Sequence, residues 1–192
     1  MTEFLEKKFI KKNIIESREY QKNLAHQAIS ENCIVVLPTG LGKTAIALQV
    51  IAEYLSKGKG GALFLAPTRV LVNQHYEFLK QSLTIEDISI ITGEDLISKR
   101  TKLWNNSVIC ATPEITKNDL NRGIVNPSQF NLVIFDEVHR TIGDYAYSGI
   151  AELLENLDVR IVGMTATLPS EREKATEILT RLRIDKLGRA HV

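Results

Sequence analysis

Six short apolar runs punctuate the chain: CIVVL (33–37), ALFLA (62–66), ISII (88–91), SVICA (107–111), LVIF (132–135) and RIVGM (160–164). They are nearly continuous in hydrophobic residues and lack the strict alternation of a sheet wetted on one face, so they predict strands buried on both sides. Helical patterns fill the intervals. After Gly42, Ile46, Val50 and Ile51 fall on one face, and the stretch 70–79 carries Val70, Leu71, Tyr76 and Phe78 among polar residues. In the last helix, Ser170 and Glu173 have the spacing of a capping box ahead of Ala175, Ile178, Leu179 and Leu182. Strands alternating with helices predict an α/β fold, a parallel β-sheet with helices on both faces. A chain of 192 residues supplies one full-sized core, so a single domain over 1–192 is expected. In such sheets ligands gather beyond the carboxyl ends of the strands, and motifs that follow strands should converge there.

Composition narrows the partners. Hydrophobic residues at 44% and charged residues at 24% argue against disorder. A formal net charge of +1 announces no polyanion, so any nucleic-acid surface must be a local patch. Cys33 and Cys110 sit in or beside apolar runs without metal-ligand spacing, which reads as buried free thiols in a reducing compartment. The N-terminal Lys7, Lys8, Lys11 and Lys12 are interspersed with Glu3, Glu6 and Glu16, the pattern of a solvated helical face. No apolar run approaches the ~20 residues that span a bilayer, so a soluble, cytoplasmic protein without a membrane partner is expected.

The chemistry begins at LPTGLGKT (37–44). The P-loop pattern G-x-x-x-x-G-K-[ST] follows a strand and opens a helix, and here only its first glycine is missing. Gly40 and Gly42 can turn successive N–H groups toward a phosphate, and the positive end of the helix starting near Lys43 adds attraction. Thr39, Gly40, Leu41, Gly42, Lys43 and Thr44 are therefore the nucleotide-binding candidates, with Lys43 reaching the β- and γ-phosphates and Thr44 ligating Mg²⁺.

DEVH (136–139) follows the run LVIF in the second position a phosphate-cleaving site needs. Asp136 at a strand end can hold Mg²⁺ through a water, and Glu137 can polarise the attacking water as a base. His139 reads as a polar link from the γ-phosphate side to TAT (165–167), whereas His26, His75 and His191 show no evident partner.

With these motifs in order the sequence resembles the superfamily 2 helicases and translocases, across nearly its whole length: REYQ (18–21), LPTGLGKT, APTRVLVNQH (66–75), TGE (92–94), ATPE (111–114), DEVHR (136–140) and TAT. It is most similar to the archaeal Hef helicase-nuclease and Fanconi anaemia group M translocase family, through IVVLPTGLGKTAIA, LAPTRVLVNQH, LVIFDEVHR and GDYAYSGIA (143–151). Val138, where alanine or cysteine is common, is a small departure. The resemblance implies a RecA-like P-loop fold with ATP and Mg²⁺ as cofactors. Gln21 would read the adenine edge, supported by Arg18. Thr68, Arg69, Gln74, Thr92, Gly93, Thr112 and Pro113 would face the nucleic-acid backbone. Thr165 and Thr167 would couple nucleotide state to strand movement.

Helicases of this type place a second RecA-like domain after TAT, whose arginine completes the ATP site. Only 25 residues follow here, so an isolated domain that hydrolyses ATP very poorly is expected, with forked, branched or single-stranded DNA and the missing second domain as partners. Two alternatives stay open. One is an RNA-directed helicase of the Dicer or RIG-I type; the other is a non-catalytic module that binds nucleic acid or a partner protein.

Overall fold

The computed structural model describes residues 2–58, 60–142, 145–184 and 186–189. The chain runs α1 (Glu19–Ser30), β1 (Cys33–Val36), α2 (Lys43–Ser56), β2 (Gly61–Leu65), α3 (Arg69–Ser82), β3 (Ile88–Ile91), α4 (Ile97–Leu103), β4 (Val108–Ala111) and α5 (Pro113–Asn121). It continues with β5 (Phe130–Asp136), α6 (Tyr145–Leu153), β6 (Arg160–Thr165), α7 (Arg172–Leu182) and β7 (Lys186–Arg189). The strands form one seven-stranded sheet in the order β3-β4-β2-β5-β6-β1-β7, and every pairing is parallel. All six apolar runs of the sequence are strands of this sheet.

Pleating sends alternate residues to opposite faces. On β2, Ala62 and Phe64 enter the apolar layer under α1, α2 and α3, while Leu63 and Leu65 enter the layer that holds residues of α5, α6 and α7. The double coverage predicted from the unbroken runs is therefore present, and each buried large side chain contributes about 1.5–3 kcal/mol relative to exposure. Cys33 and Cys110 are buried free thiols. Burial pushes their pKa up, to about 11 for Cys33 and about 12 for Cys110, so neither forms a thiolate near neutral pH.

Four local expectations change. The basic N-terminal stretch is not a helix. Residues 2–18 run as a strap pinned by the isolated bridges Phe4↔Glu16 and Ile10↔Leu83, with Leu5 and Ile10 buried beneath it. Helix α2 buries nine residues from Ala45 to Tyr54 instead of one face, because it lies on the sheet with α1 beside it. Helix α3 buries Val72, His75, Leu79 and Ser82, with Leu71, Tyr76 and Phe78 packed partly buried against the same core, so of the expected apolar residues Val70 alone, 66% exposed, is turned outward. The Ser170–Glu173 box does not form: α7 starts at Arg172 with Glu171 as N-cap and no side-chain cap bond. Its inner stripe, Ile178 and Leu182, is as expected.

β7 was not legible as a strand. It is short, charged at both ends and stands at the sheet edge, paired with β1 alone.

A buried polar cluster fastens the opposite end of the sheet. Asp119 on α5, with no exposed surface, accepts hydrogen bonds from Arg100 Nε (2.8 Å), Arg100 Nη2 (3.0 Å) and Trp104 Nε1 (2.8 Å). Arg100 also donates to the Asp95 carbonyl, so α4, α5 and the loop after β3 are held as one piece. Replacing Asp119 with alanine strands a buried guanidinium, and the expected cost is about 3–5 kcal/mol. Urea unfolding followed by circular dichroism measures it; a midpoint equal to that of the unaltered chain would show the cluster to be idle.

Candidate functional site

With all strands parallel, their carboxyl ends share one edge, and strand order sorts the motifs along it. β5, β6 and β1 are contiguous and carry DEVH, TAT and the glycine loop, while β2, β4 and β3 occupy the other half and carry APTR, ATPE and TGE.

The glycine loop enters from β1, where Leu37 N donates to the Thr165 carbonyl at 3.1 Å, tying the loop to the start of TAT. Gly40 has φ +85° with open space where a Cβ would stand, and Gly42, the N-cap of α2, has φ +88°. A Cβ on Gly42 would come within 2.2 Å of Gln21 Nε2, so both backbone angle and space demand glycine. No side chain caps α2. Its first-turn N–H groups are consequently left without a side-chain acceptor, an arrangement that suits an anion. Thr39 is exposed, and Leu41, Lys43 and Thr44 are half-buried. Lys43 Nζ folds over the loop to the Leu37 carbonyl at 3.1 Å.

Gln21 is buried and brought against this loop. Its Nε2 donates to the Leu41 carbonyl at 3.0 Å, alongside the Tyr20 hydroxyl at 2.8 Å. The amide nitrogen is thus engaged, and the amide oxygen is the group left for a donor on a ligand. Arg18 is exposed and lies 3.4 Å from both the Tyr20 hydroxyl and Glu16 Oε2, which raises its pKa.

Asp136 is 4% exposed, and both its carboxylate oxygens are oriented. Oδ1 accepts from Glu137 N at 2.9 Å and Oδ2 lies 2.8 Å from His75 Nε2. His75 is the site residue that sequence reasoning missed, since its partner is distant in the chain. The available signal was its place one residue beyond Gln74, on the inward side of α3. Glu137 takes φ +57°, a left-handed angle that turns the chain sharply after β5. His139 lies between Glu137 and TAT, with Nε2 3.3 Å from Glu137 Oε2 and Nδ1 3.0 Å from Thr165 Oγ1. Thr165 Oγ1 also reaches the Thr167 carbonyl at 2.7 Å, so its single hydrogen serves either His139 or Thr167. Val138 is fully buried, and its Cγ1 lies 3.0 Å from where a Cβ on Gly163 would stand. The larger side chain is accommodated because β6 has glycine there.

Of GDYAYSGIA, Gly143 and Asp144 lie outside the described residues, as does His191. Tyr147 from this segment is 1% exposed, and its hydroxyl donates to the Asp136 carbonyl at 2.7 Å. It supports the acidic pair from beneath.

The other half of the edge is uneven. Thr68 caps α3 by accepting from Leu71 N at 3.3 Å, Arg69 pairs with Glu94 of TGE, and Gln74 and Gly93 are exposed. Thr92 N donates to Asp95 Oδ2 at 3.4 Å. Thr112 and Pro113 are buried, which removes their side chains as surface contacts. The start of α5 nevertheless lacks a side-chain cap, so its N–H groups are what that loop can offer a phosphate.

A parallel sheet, a left-handed glycine loop before an uncapped helix, and an acidic pair two strands away define a RecA-like P-loop domain. Residues 18–175 match the family model for DEAD/DEAH box helicases, and the chain belongs to that family. MJ1505 of Methanocaldococcus jannaschii, named as a candidate ATP-dependent RNA helicase, is 42% identical over 185 residues, covering 95% of this chain and 24% of that protein. The ATP-dependent DNA helicase MPH1 of Eremothecium gossypii is 37% identical over 180 residues, 90% of this chain and 16% of that protein. The crystal structure of the Pyrococcus furiosus Hef helicase domain superposes with a TM-score of 0.85 at 38% identity, over 91% of this chain and 38% of that one. The chain therefore spans a quarter or less of the two curated relatives. Among the described residues no helix is long and apolar enough to cross a membrane.

Gly42→Ala should abolish nucleotide binding by pushing Gln21 off the loop, and it should also lower the melting temperature, because the added Cβ meets a buried side chain at a positive φ. Equilibrium binding of a fluorescent ATP analogue checks this; retained affinity would remove the Gly42–Gln21 contact from the site.

Proposed function

We propose that residues 1–192 form the first motor domain of an ATP-dependent DNA helicase or translocase that acts on branched or forked DNA in the cytoplasm. The observation that carries this is the division of one sheet edge: phosphate-binding and acidic motifs follow β1, β6 and β5, and a row of polar loops follows β2, β4 and β3. The first half suits a nucleotide and the second a strand backbone.

In this reading the open N–H groups of α2 and the backbone of Thr39, Gly40, Leu41 and Gly42 receive the phosphates. Lys43 exchanges its bond to the Leu37 carbonyl for the β- and γ-phosphates. Gln21 accepts from the adenine amino group through its amide oxygen, with Arg18 beside that pocket. The hydroxyl of Thr44 and the carboxylate of Asp136 are hard oxygen donors of the kind Mg²⁺ takes, and bound Mg²⁺ would neutralise charge on the phosphates. Glu137 orients and deprotonates the attacking water. His139, Thr165 and Thr167 carry the state of that site toward the strand half. There Thr68, Arg69, Gln74, Thr92 and Gly93, with the backbone at Thr112 and Pro113, hold the sugar-phosphate chain without reading sequence. A second RecA-like domain supplies the remaining arginine, worth about 10³–10⁵ in rate in phosphoryl-transfer enzymes.

The name of the M. jannaschii relative favours a second reading, an RNA-directed motor. Steady-state ATPase of the full-length protein with no nucleic acid, forked DNA or matched RNA separates the two, measured beside the 192-residue chain. Strong stimulation by forked DNA with the isolated chain near background is expected. Preferential stimulation by RNA would transfer the protein to the RNA branch, and an active isolated chain would refute the need for a second domain. With binding read by a fluorescent ATP analogue and turnover by the same ATPase assay, Lys43→Ala should lose nucleotide binding with its circular dichroism spectrum kept, and Glu137→Gln should bind ATP but lose turnover. Normal hydrolysis by Glu137→Gln would eliminate that carboxylate as the base.

A further inference from the structure

His75 is placed where the nucleotide site and the strand half of the edge meet. It lies on α3 next to Gln74, is 8% exposed, and packs against the Phe64 ring with centroids 4.2 Å apart. Its Nε2 is 2.8 Å from Asp136 Oδ2. An ionised carboxylate only accepts, so Nε2 carries the hydrogen and donates. Among the described residues this is the side-chain hydrogen bond that joins α3 to the nucleotide motifs.

We propose that His75 is a positioning residue that couples strand engagement along α3 to metal binding at Asp136. The proposal rests on the reading of Asp136 as a Mg²⁺ residue. Two bonds set the plane of that carboxylate, Glu137 N on Oδ1 and His75 on Oδ2, and each oxygen keeps a lone pair for a metal-bound water. The Glu137 bond is local and moves with its own loop. The His75 bond comes from another element, so it reports where α3 stands.

The outer side of α3 is where the strand would pull. Gln74 is exposed, Thr68 caps the helix start, and Arg69 is half-exposed with Glu94 as its partner. A backbone phosphate competing for Arg69 at the helix start and for Gln74 in its second turn would draw on α3, and His75, the residue after Gln74, would move with it. Hydrogen-bond strength falls steeply with distance and angle, so a small displacement changes how firmly Asp136 is aimed. Coupling of this kind is reciprocal: a strand that favours metal binding is itself favoured by the metal.

The test uses the 192-residue chain, a fluorescent non-hydrolysable ATP analogue and a Mg²⁺ titration, with and without a single-stranded DNA oligonucleotide. The unaltered chain should show a Mg²⁺ midpoint that the oligonucleotide shifts. His75→Phe keeps a ring against Phe64 but has no donor. It should weaken the midpoint about tenfold, leave metal-free nucleotide affinity unchanged and erase the oligonucleotide shift. His75→Gln restores a donor and should recover part of both. His75→Phe with the original midpoint and shift would overturn the proposal, as would an unaltered chain whose midpoint ignores the oligonucleotide. Should His75→Phe also lose metal-free affinity, His75→Gln decides, and a Gln variant as impaired as the Phe variant counts against positioning. Asp136→Asn separates the two claims: an unmoved Mg²⁺ midpoint there defeats the metal reading itself, whereas failure confined to the His75 variants leaves it standing.

Discussion

Asp136 is held from three directions, and the acidic motif depends on that hold. The Tyr147 hydroxyl meets its carbonyl, Glu137 N meets Oδ1 and His75 Nε2 meets Oδ2. The three donors come from α6 beneath the sheet, from the turn that follows β5, and from α3 on the other face. A carboxylate with 4% exposure meets little water, so the Glu137 and His75 donors are what satisfy its oxygens and fix its plane. Fixing it from separate elements means that any repacking of the helices changes its aim.

The sheet makes this arrangement possible. Strands covered on both faces must be joined by crossovers, parallel pairing sends every crossover out from the same edge, and the motifs are left nowhere else to collect. Order within the sheet then divides that edge, with β5 at the boundary between β2 on one side and β6 on the other. DEVH therefore stands between the polar loops and the glycine loop. The Arg100–Asp119–Trp104 cluster stiffens the far end, so TGE and the start of α5 are carried on a firm base.

Much of this was legible in the residues. The apolar runs marked six of the strands, because burial on both faces imposes continuity of hydrophobic residues, and the glycine loop was readable because phosphate binding restricts residue type locally. Capping and amphipathic faces were less so. Ser170 and Glu173 have the spacing of a box, yet the helix starts beyond Ser170, since a cap contributes only about 1 kcal/mol and packing of Ile178 and Leu182 decides where the helix begins. Val70 is apolar and exposed, and His75 is polar and buried, so hydrophobicity alone misplaced these two positions of α3 while Leu71, Tyr76 and Phe78 pack on the core as expected. The mixed charges of the N-terminus suggested a helix, but Leu5 and Ile10 hold it flat as a strap.

The sequence by itself determined the elements whose cause is local: parallel strands from unbroken apolar runs, a phosphate loop from its glycines, an acidic pair at a strand end. These depend on neighbours along the chain and on solvent. Only the tertiary structure decided that His75 reaches Asp136, that Tyr147 props it from below, that Asp119 gathers Arg100 and Trp104, and that Thr112 and Pro113 face inward. Each of these joins residues from elements that meet only after the sheet has set its strand order, and a hydrogen bond leaves no pattern in the sequence beyond a polar residue where an apolar one was expected.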